Sequence, residues 1–259
     1  MKLYKDELRS VMYVEDLAAT ADYCANVMGL EKVYEWDNGP EDSGCKFKVV
    51  GGGYIELLCR KPIIEQGATS LWMEAKDIDG MFSTISKNPK AGIFEEVADK
   101  YYHARVFRVV DPDGNATFVC AYEKDVKPYT KDAELGDFFK DEFRSVLFVE
   151  DLDACYKFYT ETLEMPCTYS WDEGPGDRGF KYKAAGTGAY IETLHRKPLV
   201  PQGATTVMVE AEDVDACYAH IMAKEGIRLV EDIEDKPYGV RAFQILDPDD
   251  NGVIIFSYK

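Results

Sequence analysis

The chain is written twice, and that repetition limits what it can fold into more than any other feature. SVMYVEDL (Ser10 to Leu17) returns as SVLFVEDL (Ser145 to Leu152), and WDNGPEDSG (Trp36 to Gly44) returns as WDEGPGDRG (Trp171 to Gly179). YIELLCRKP (Tyr54 to Pro62) returns as YIETLHRKP (Tyr190 to Pro198), and DKYYHARVFRVVDPDGN (Asp99 to Asn115) as DKPYGVRAFQILDPDDN (Asp235 to Asn251). The offset is 135 residues up to the turn at Gly51 and 136 beyond it, so one residue was inserted there. Such a period is too long for a solenoid unit and has the length of a small domain.

Each copy repeats a smaller pattern of strand, helix and three strands. Val11 to Val14 alternates between two faces, Asp16 is a helix N-cap, and Leu17 to Met28 reads as a helix closed by Gly29. Val33 to Trp36, Cys45 to Val49 and Tyr54 to Cys59 read as strands separated by Gly-rich turns. After QGAT the pattern restarts, with a strand at Leu71 to Ala75 and a helix at Ile78 to Ser86 capped by Asp77. Strands near Ile93 to Val97, Arg105 to Val110 and Thr117 to Tyr122 complete it, and residues 206–258 repeat it. The fold class expected is therefore α+β, with four βαβββ modules in two tandem domains. The division is 1–124 and 141–259, with the polar stretch 125–140 as linker. A lone module has an open sheet edge and an uncovered face, so modules should pair.

Charge and cysteine bound the function. Thirty basic residues against forty-eight acidic ones give a formal charge of −18, which disfavours nucleic acid and anionic membrane surfaces as partners. The same charge leaves room for a cationic ligand. Seven cysteines, an odd number with no CxxC pair, do not make a disulfide framework. The opening MKLYKDELRS lacks the apolar stretch of a signal peptide, so a cytoplasmic protein is expected, as monomer or homodimer.

The stretch from Ser145 to Met165, the YIEL strand and YGVRAFQILDPDDNG (Tyr238 to Gly252) resemble the vicinal oxygen chelate superfamily. That superfamily includes glyoxalase I, extradiol dioxygenases and the bleomycin resistance proteins. The resemblance implies two glyoxalase-like domains. In metal-dependent members it also implies a His or Glu early on a module's first strand and a Glu on its fourth. Carried over residue by residue, those positions here are Arg9 and Glu56, Ser70 and Phe118, Arg144 and Glu192, and Thr206 and Ile254. Arginine stays protonated and cannot ligate a cation, and Phe118 and Ile254 have no donor atom. No metal and no other cofactor is expected. His103, His195 and His220 have no counterparts in the repeat and read as surface or loop residues.

A guanidinium fork can instead take the place of the cation, so Arg9–Glu56 and Arg144–Glu192 are expected as ion pairs facing a cavity. By strand parity Tyr13 shares a face with Arg9, and Tyr54 with Glu56; Phe148 and Tyr190 do the same in the third module. Trp72 joins from the second module, and Trp36 and Trp171 precede the WDxGP loops. Candidate ligand-binding residues are thus Arg9, Tyr13, Trp36, Tyr54, Glu56, Trp72, Arg144, Phe148, Trp171, Tyr190 and Glu192. Arg105 and Arg241 are expected to brace the DPD turns through Asp111 and Asp247.

Aromatic walls with a few fixed polar groups suit a small-molecule ligand. The expected function is metal-free binding of a planar or cationic compound, of the sequestering kind, with no catalytic residue assigned. The alternative is a glyoxalase-like lyase or isomerase using Glu56 and Glu192 as bases. Trp72 answers to Met208 in the repeat, Phe118 to Ile254 and Cys59 to His195, so the two cavities should differ and only one should bind well.

Overall fold

A computed structural model of the chain describes residues 4–39, 42–62, 65–100, 104–112, 114–122, 139–185, 188–195, 203–236, 239–248 and 250–259. The first module is β1 (Tyr4–Tyr13), α1 (Leu17–Asp22), β2 (Glu31–Asp37), β3 (Ser43–Val50) and β4 (Gly53–Cys59). The second is β5 (Ser70–Ala75), α2 (Ile78–Ile85), β6 (Ile93–Lys100), β7 (Ala104–Val110) and β8 (Ala116–Tyr122). The third is β9 (Phe139–Phe148), α3 (Leu152–Lys157), β10 (Cys167–Asp172), β11 (Arg178–Ala185) and β12 (Ala189–His195). The fourth is β13 (Thr206–Ala211), α4 (Val214–Met222), β14 (Arg228–Asp235), β15 (Val240–Leu246) and β16 (Gly252–Tyr258).

The modules pair across the middle of the chain. One eight-stranded sheet runs β14-β15-β16-β13-β1-β4-β3-β2, joining modules four and one; the other runs β10-β11-β12-β9-β5-β8-β7-β6, joining three and two. The seams are antiparallel, β1 on β13 and β5 on β9, and they close the edges that single modules would leave open. Each sheet thus takes one module from either half of the chain. Strand β9 begins at Phe139, inside the stretch read as linker; residues 123–138 lie outside the described residues, as do His103 and Arg196 to Pro198.

Asp16, Asp77, Asp151 and Asp213 each cap a helix by accepting a backbone N–H three residues on. The single helix expected from Leu17 to Met28 is corrected. It is α1 followed by a π-helical turn, Tyr23–Val27, and α3 is likewise followed by Phe158–Thr162. The wider turn buries the adjacent residues Tyr23 and Cys24 together, and likewise Phe158 and Tyr159.

Alternate strand residues face opposite ways, and the two sets enter different clusters. Leu8, Met12, Leu57, Phe143, Leu147, Val207 and Val209 join the helices in one core that draws on all four modules. The other parity gives two smaller clusters, one around Val11, Met208 and Phe256, the other around Val146, Trp72 and Phe118. The pseudo-two-fold relating the halves is marked by counterparts that touch each other. Ser10 Oγ lies 3.2 Å from Ser145 Oγ, both buried, and the Gly67 N–H donates to Ala204 O at 2.9 Å. A Cβ on Gly67 would stand 2.3 Å from the Gly203 nitrogen, so only glycine lets these segments cross.

The Arg105 and Arg241 expectation is overturned. Arg105 forks onto Asp79 at 2.7 Å and reaches Asp99 at 2.9 Å, and Arg241 does the same with Asp215 and Asp235. Asp111 and Asp247 instead accept from the backbone and side-chain amides of Asn115 and Asn251. Each DPD turn is closed by its own asparagine, Asp247 accepting from the Tyr159 hydroxyl as well at 3.1 Å, and the arginines tie the outer strands to the helices. His195 bonds Val149 O and His220 bonds Glu164, so neither faces a cavity with other donors.

Candidate functional site

A cleft of about 480 Å³ opens on the sheet of modules one and four, within the size range of small-molecule sites. Its floor carries a buried charge cluster that the alternation of β1 and β4 sets there. Arg9 Nη1 donates to Glu56 Oε1 at 2.9 Å, its Nε donates to Glu7, and its Nη2 donates to the Tyr258 hydroxyl at 2.6 Å. Lys46 Nζ reaches Glu7 at 3.1 Å and the Tyr258 hydroxyl at 3.2 Å. Arg9, Glu7 and Glu56 are all buried.

Burial alone would push the Glu7 carboxyl up, but Arg9 and Lys46 outweigh it and hold the group below the usual carboxylate range. Burial likewise opposes the charge on Arg9, and Glu56 and Glu7 more than offset it. Tyr258 is raised to about 12, chiefly by burial, so its hydroxyl keeps the proton with which it donates to Glu7. One atom of the cluster stands apart. Glu56 Oε2 is buried with no hydrogen-bond partner among the described residues.

Trp36 and Tyr34 form the cleft wall, stacked at 5.8 Å. Trp36 lies over Gly44, its neighbour across the β2–β3 ladder, where a Cβ would stand 2.4 Å from the indole ring. Its Nε1 donates to Asp42 at 3.4 Å. Tyr54 completes the wall beneath Lys46, whose Nζ is 4.8 Å from the ring centre. Tyr13 is half-buried and packs with Trp36 against the apolar end of the floor.

The matching face of the sheet of modules three and two repeats the polar pair and sets larger aromatic side chains beside it. Arg144 Nη1 donates to Glu192, both buried. Trp72, 5% exposed, stacks on Phe118, 2% exposed, at 5.9 Å and 18°. Arg144 lies 5.0 Å from the Trp72 ring and Arg108 lies 4.7 Å from Phe118. Phe148 and Trp171 pack against this stack, and Tyr190 lies under Lys181 at 4.7 Å. The eleven candidates therefore fall into two groups. Arg9, Tyr13, Trp36, Tyr54 and Glu56 gather on one sheet, and Trp72, Arg144, Phe148, Trp171, Tyr190 and Glu192 on the other.

Glu7, Lys46 and Tyr258 were not among the candidates. Glu7 shares parity with Arg9 and could have been found from that. Lys46 lies opposite Glu56 in the β3–β4 register, and Tyr258 comes from the last strand of module four. The place of Lys46 could have been found from that hairpin, whereas that of Tyr258 does not follow from strand parity within a single module. The lining holds Arg9, Lys46, Lys48 and Arg60 with Glu31 and Glu56, and Glu7 and Asp42 pair with Arg9, Lys46 and Arg60, so basic and acidic groups are matched around the cleft.

Residues 143–255 match the Glyoxalase/Bleomycin resistance protein/Dioxygenase superfamily. The chain carries a domain of this superfamily. Two solved structures extend the likeness to the whole tandem. Glyoxalase I from Zea mays superposes with a TM-score of 0.74 at 14% identity, covering 97% of this chain and 93% of that one. A Bacillus subtilis protein provisionally described as a dioxygenase gives 0.69 at 14% identity, covering 99% and 86%. At these identities the likeness is one of fold. No curated protein matches the sequence.

The superfamily's metal site can be tested against the residues that stand there. One sheet brings together Arg9, Glu56, Thr206 and Ile254, the other Ser70, Phe118, Arg144 and Glu192. Each set offers a cation one carboxylate, one hydroxyl, a hydrocarbon and a guanidinium, and the guanidinium already holds the carboxylate. That donor set does not fit a divalent metal. Among the described residues no group of three or more His, Cys, Asp or Glu is placed to hold one.

Proposed function

We propose that this chain is a metal-free small-molecule-binding protein that takes one planar ligand in the cleft between modules one and four. The observation that carries this is the difference between two cavities built on the same plan. One carries a cleft walled by Trp36 and Tyr34 and floored by a fixed polar cluster; at the matching places of the other, Trp72 and Phe118 stack where the first has Met208 and Ile254. Holding such a compound out of solution is the simplest use of the site.

The test is titration of planar compounds with stoichiometry read by calorimetry, on Trp36→Phe and Trp171→Phe separately. One site per chain, weakened in Trp36→Phe and unchanged in Trp171→Phe, is the result expected. Two equal sites, or equal losses in both variants, would refute the assignment.

One observation favours a lyase or isomerase instead. Glu56 lines the cleft and its Oε2 has no hydrogen-bond partner among the described residues, so this carboxylate could take a proton from a substrate carbon. Turnover of a thiohemiacetal that disappears in Glu56→Gln would establish that reading over simple binding.

A further inference from the structure

A second cleft, of about 520 Å³, opens at the end of the first, where β1 and β4 finish. Its walls include Tyr13, Glu15, Arg60, Pro62, Gln66 and Pro112. Arg60 lines both clefts. Tyr13, in the wall of the second, packs with Trp36, in the wall of the first, against one apolar cluster. Gln66 Oε1 accepts from the Thr206 hydroxyl at 3.0 Å, and further along the same strand Met208 lines the first cleft.

The fold fixes the walls of the second cleft in advance. The segment that carries Gln66 crosses its counterpart at Gly67, whose N–H donates to Ala204 O. Beside the crossing, the Thr69 N–H donates to Asn115 Oδ1 at 2.9 Å and ties this segment to the turn that carries Pro112. The junction between the clefts is fixed as well. Arg60 Nη1 lies 3.8 Å from Asp42 Oδ1, the oxygen that accepts from the Trp36 indole at 3.4 Å. One carboxylate thus holds both the guanidinium at the junction and the aromatic wall. A preformed site of this kind loses little freedom when it is filled.

The lining also says what the second cleft suits. Arg60 is paired with Asp42, and Glu15 is exposed to water that screens it, so a charged arm would lose hydration without meeting an uncommitted opposite charge. The other polar side chains are neutral, the Tyr13 phenol and the Gln66 amide, set beside two proline rings. Such groups both donate and accept, and they match hydroxyls and amides.

We infer that the two clefts are halves of one site and that its ligand is bipartite: a planar ring system against Trp36, joined past Arg60 to an uncharged arm rich in hydroxyl or amide groups. This rests on the binding reading above and extends it to the part of the ligand that the aromatic wall does not touch.

A set of coumarins differing at one ring oxygen tests this by calorimetry on the full chain. The probes are 7-methoxy-4-methylcoumarin and the 7-O-glucoside, 7-O-sulfate and 7-O-(2-aminoethyl) ether of the same ring. Hydrogen bonds in the second cleft should make the glucoside bind about tenfold more tightly than the methoxy compound. Neither charged arm should gain as much. Ala68→Phe, which sets a ring into the second cleft, should abolish the advantage of the glucoside. Trp36→Phe should weaken both probes and preserve their ratio. Equal affinity for the glucoside and the methoxy compound would overturn the inference while leaving planar binding intact. A sulfate or an aminoethyl ether bound more tightly than the glucoside would overturn the uncharged class. An advantage that survives in folded Ala68→Phe would refute the placing of the arm. If none of the coumarins binds, both readings fall. The comparison of the glucoside with the methoxy compound uses the unaltered chain, so it holds even if Ala68→Phe does not fold.

Discussion

Removing Arg9 should cost far more than removing an equally well-bonded arginine at the surface, and the cost follows from what is left behind. Arg9 holds Glu56, Glu7 and the Tyr258 hydroxyl, with its side chain 6% exposed. In Arg9→Met, Glu7 keeps Lys46 and Tyr258, but Glu56 loses the partner of Oε1 while Oε2 already has none. One uncompensated buried carboxylate places the loss near the lower end of the range for broken buried pairs, about 3 kcal/mol. Glu56→Gln keeps the shape and leaves Arg9 with Glu7, so about 1.5 kcal/mol is expected, the worth of one charged hydrogen bond. The double variant strands no charge and should fall short of the sum by about 1–2 kcal/mol. Arg241→Met is the control, since its partners Asp215 and Asp235 are largely in solvent, and should cost little. Urea unfolding measures all four, and the shared core of the modules favours a single transition. A loss for Arg9→Met no greater than that for Arg241→Met would show that the cluster is solvated and that the reasoning about the cleft floor is wrong.

Gly44→Ala should destabilise by about 1–3 kcal/mol, because its Cβ would meet the Trp36 ring at 2.4 Å and the Leu57 carbonyl at 2.5 Å. Adding Trp36→Ala should recover only part of that loss in thermal unfolding, since the carbonyl cannot move aside. Glu164 is held at about 2 by Lys224 first and His220 second, below its usual 4.5. A lowered carboxylate contributes stability above its unfolded value and loses it as pH falls through the folded one. Wild-type stability should therefore fall between pH 4.5 and about 2 more steeply than that of Glu164→Gln. Elemental analysis of the wild type should find less than one metal per cavity, whereas Arg9→His with Ile254→Glu, which restores two donors beside Glu56, should bind zinc in calorimetry. A full equivalent of metal in the wild type, lost in Glu56→Gln, would reverse the donor argument.

Local chemistry made much of this legible. Asp16, Asp77, Asp151 and Asp213 announce helices because a carboxylate before an apolar run satisfies an exposed N–H, and all four do so. The strand period of two is enough to put Arg9 with Glu56, and Arg144 with Glu192, on common faces, and both pairs form. What could not be read was set by contacts distant in the chain. Tyr258 meets Arg9 only because module four pairs with module one, and strand patterns do not say which edges join. The π-helical turn at Tyr23 follows from burying two adjacent side chains, a packing demand with no local signature.

The geometry also explains where the two halves were free to diverge. Residues that meet their own counterparts, Ser10 with Ser145 and Gly67 with Gly203, are the same in both halves. A change at such a self-contact must be accommodated from both sides at once, as in any isologous interface. Contacts between unlike positions can instead vary in step. Gly53 stands where a Cβ would come within 2.7 Å of Phe143; the counterparts of these two are Ala189 and Leu8, a larger residue set against a smaller one. Cavity positions have no such partner in the other half. Met208 and Trp72 lie in separate clusters on separate sheets, so one could become aromatic while the other stayed aliphatic. Duplication joined through the core therefore leaves the fold symmetric and the two sites independent, which is the condition under which a single chain can keep one cavity for structure and one for a ligand.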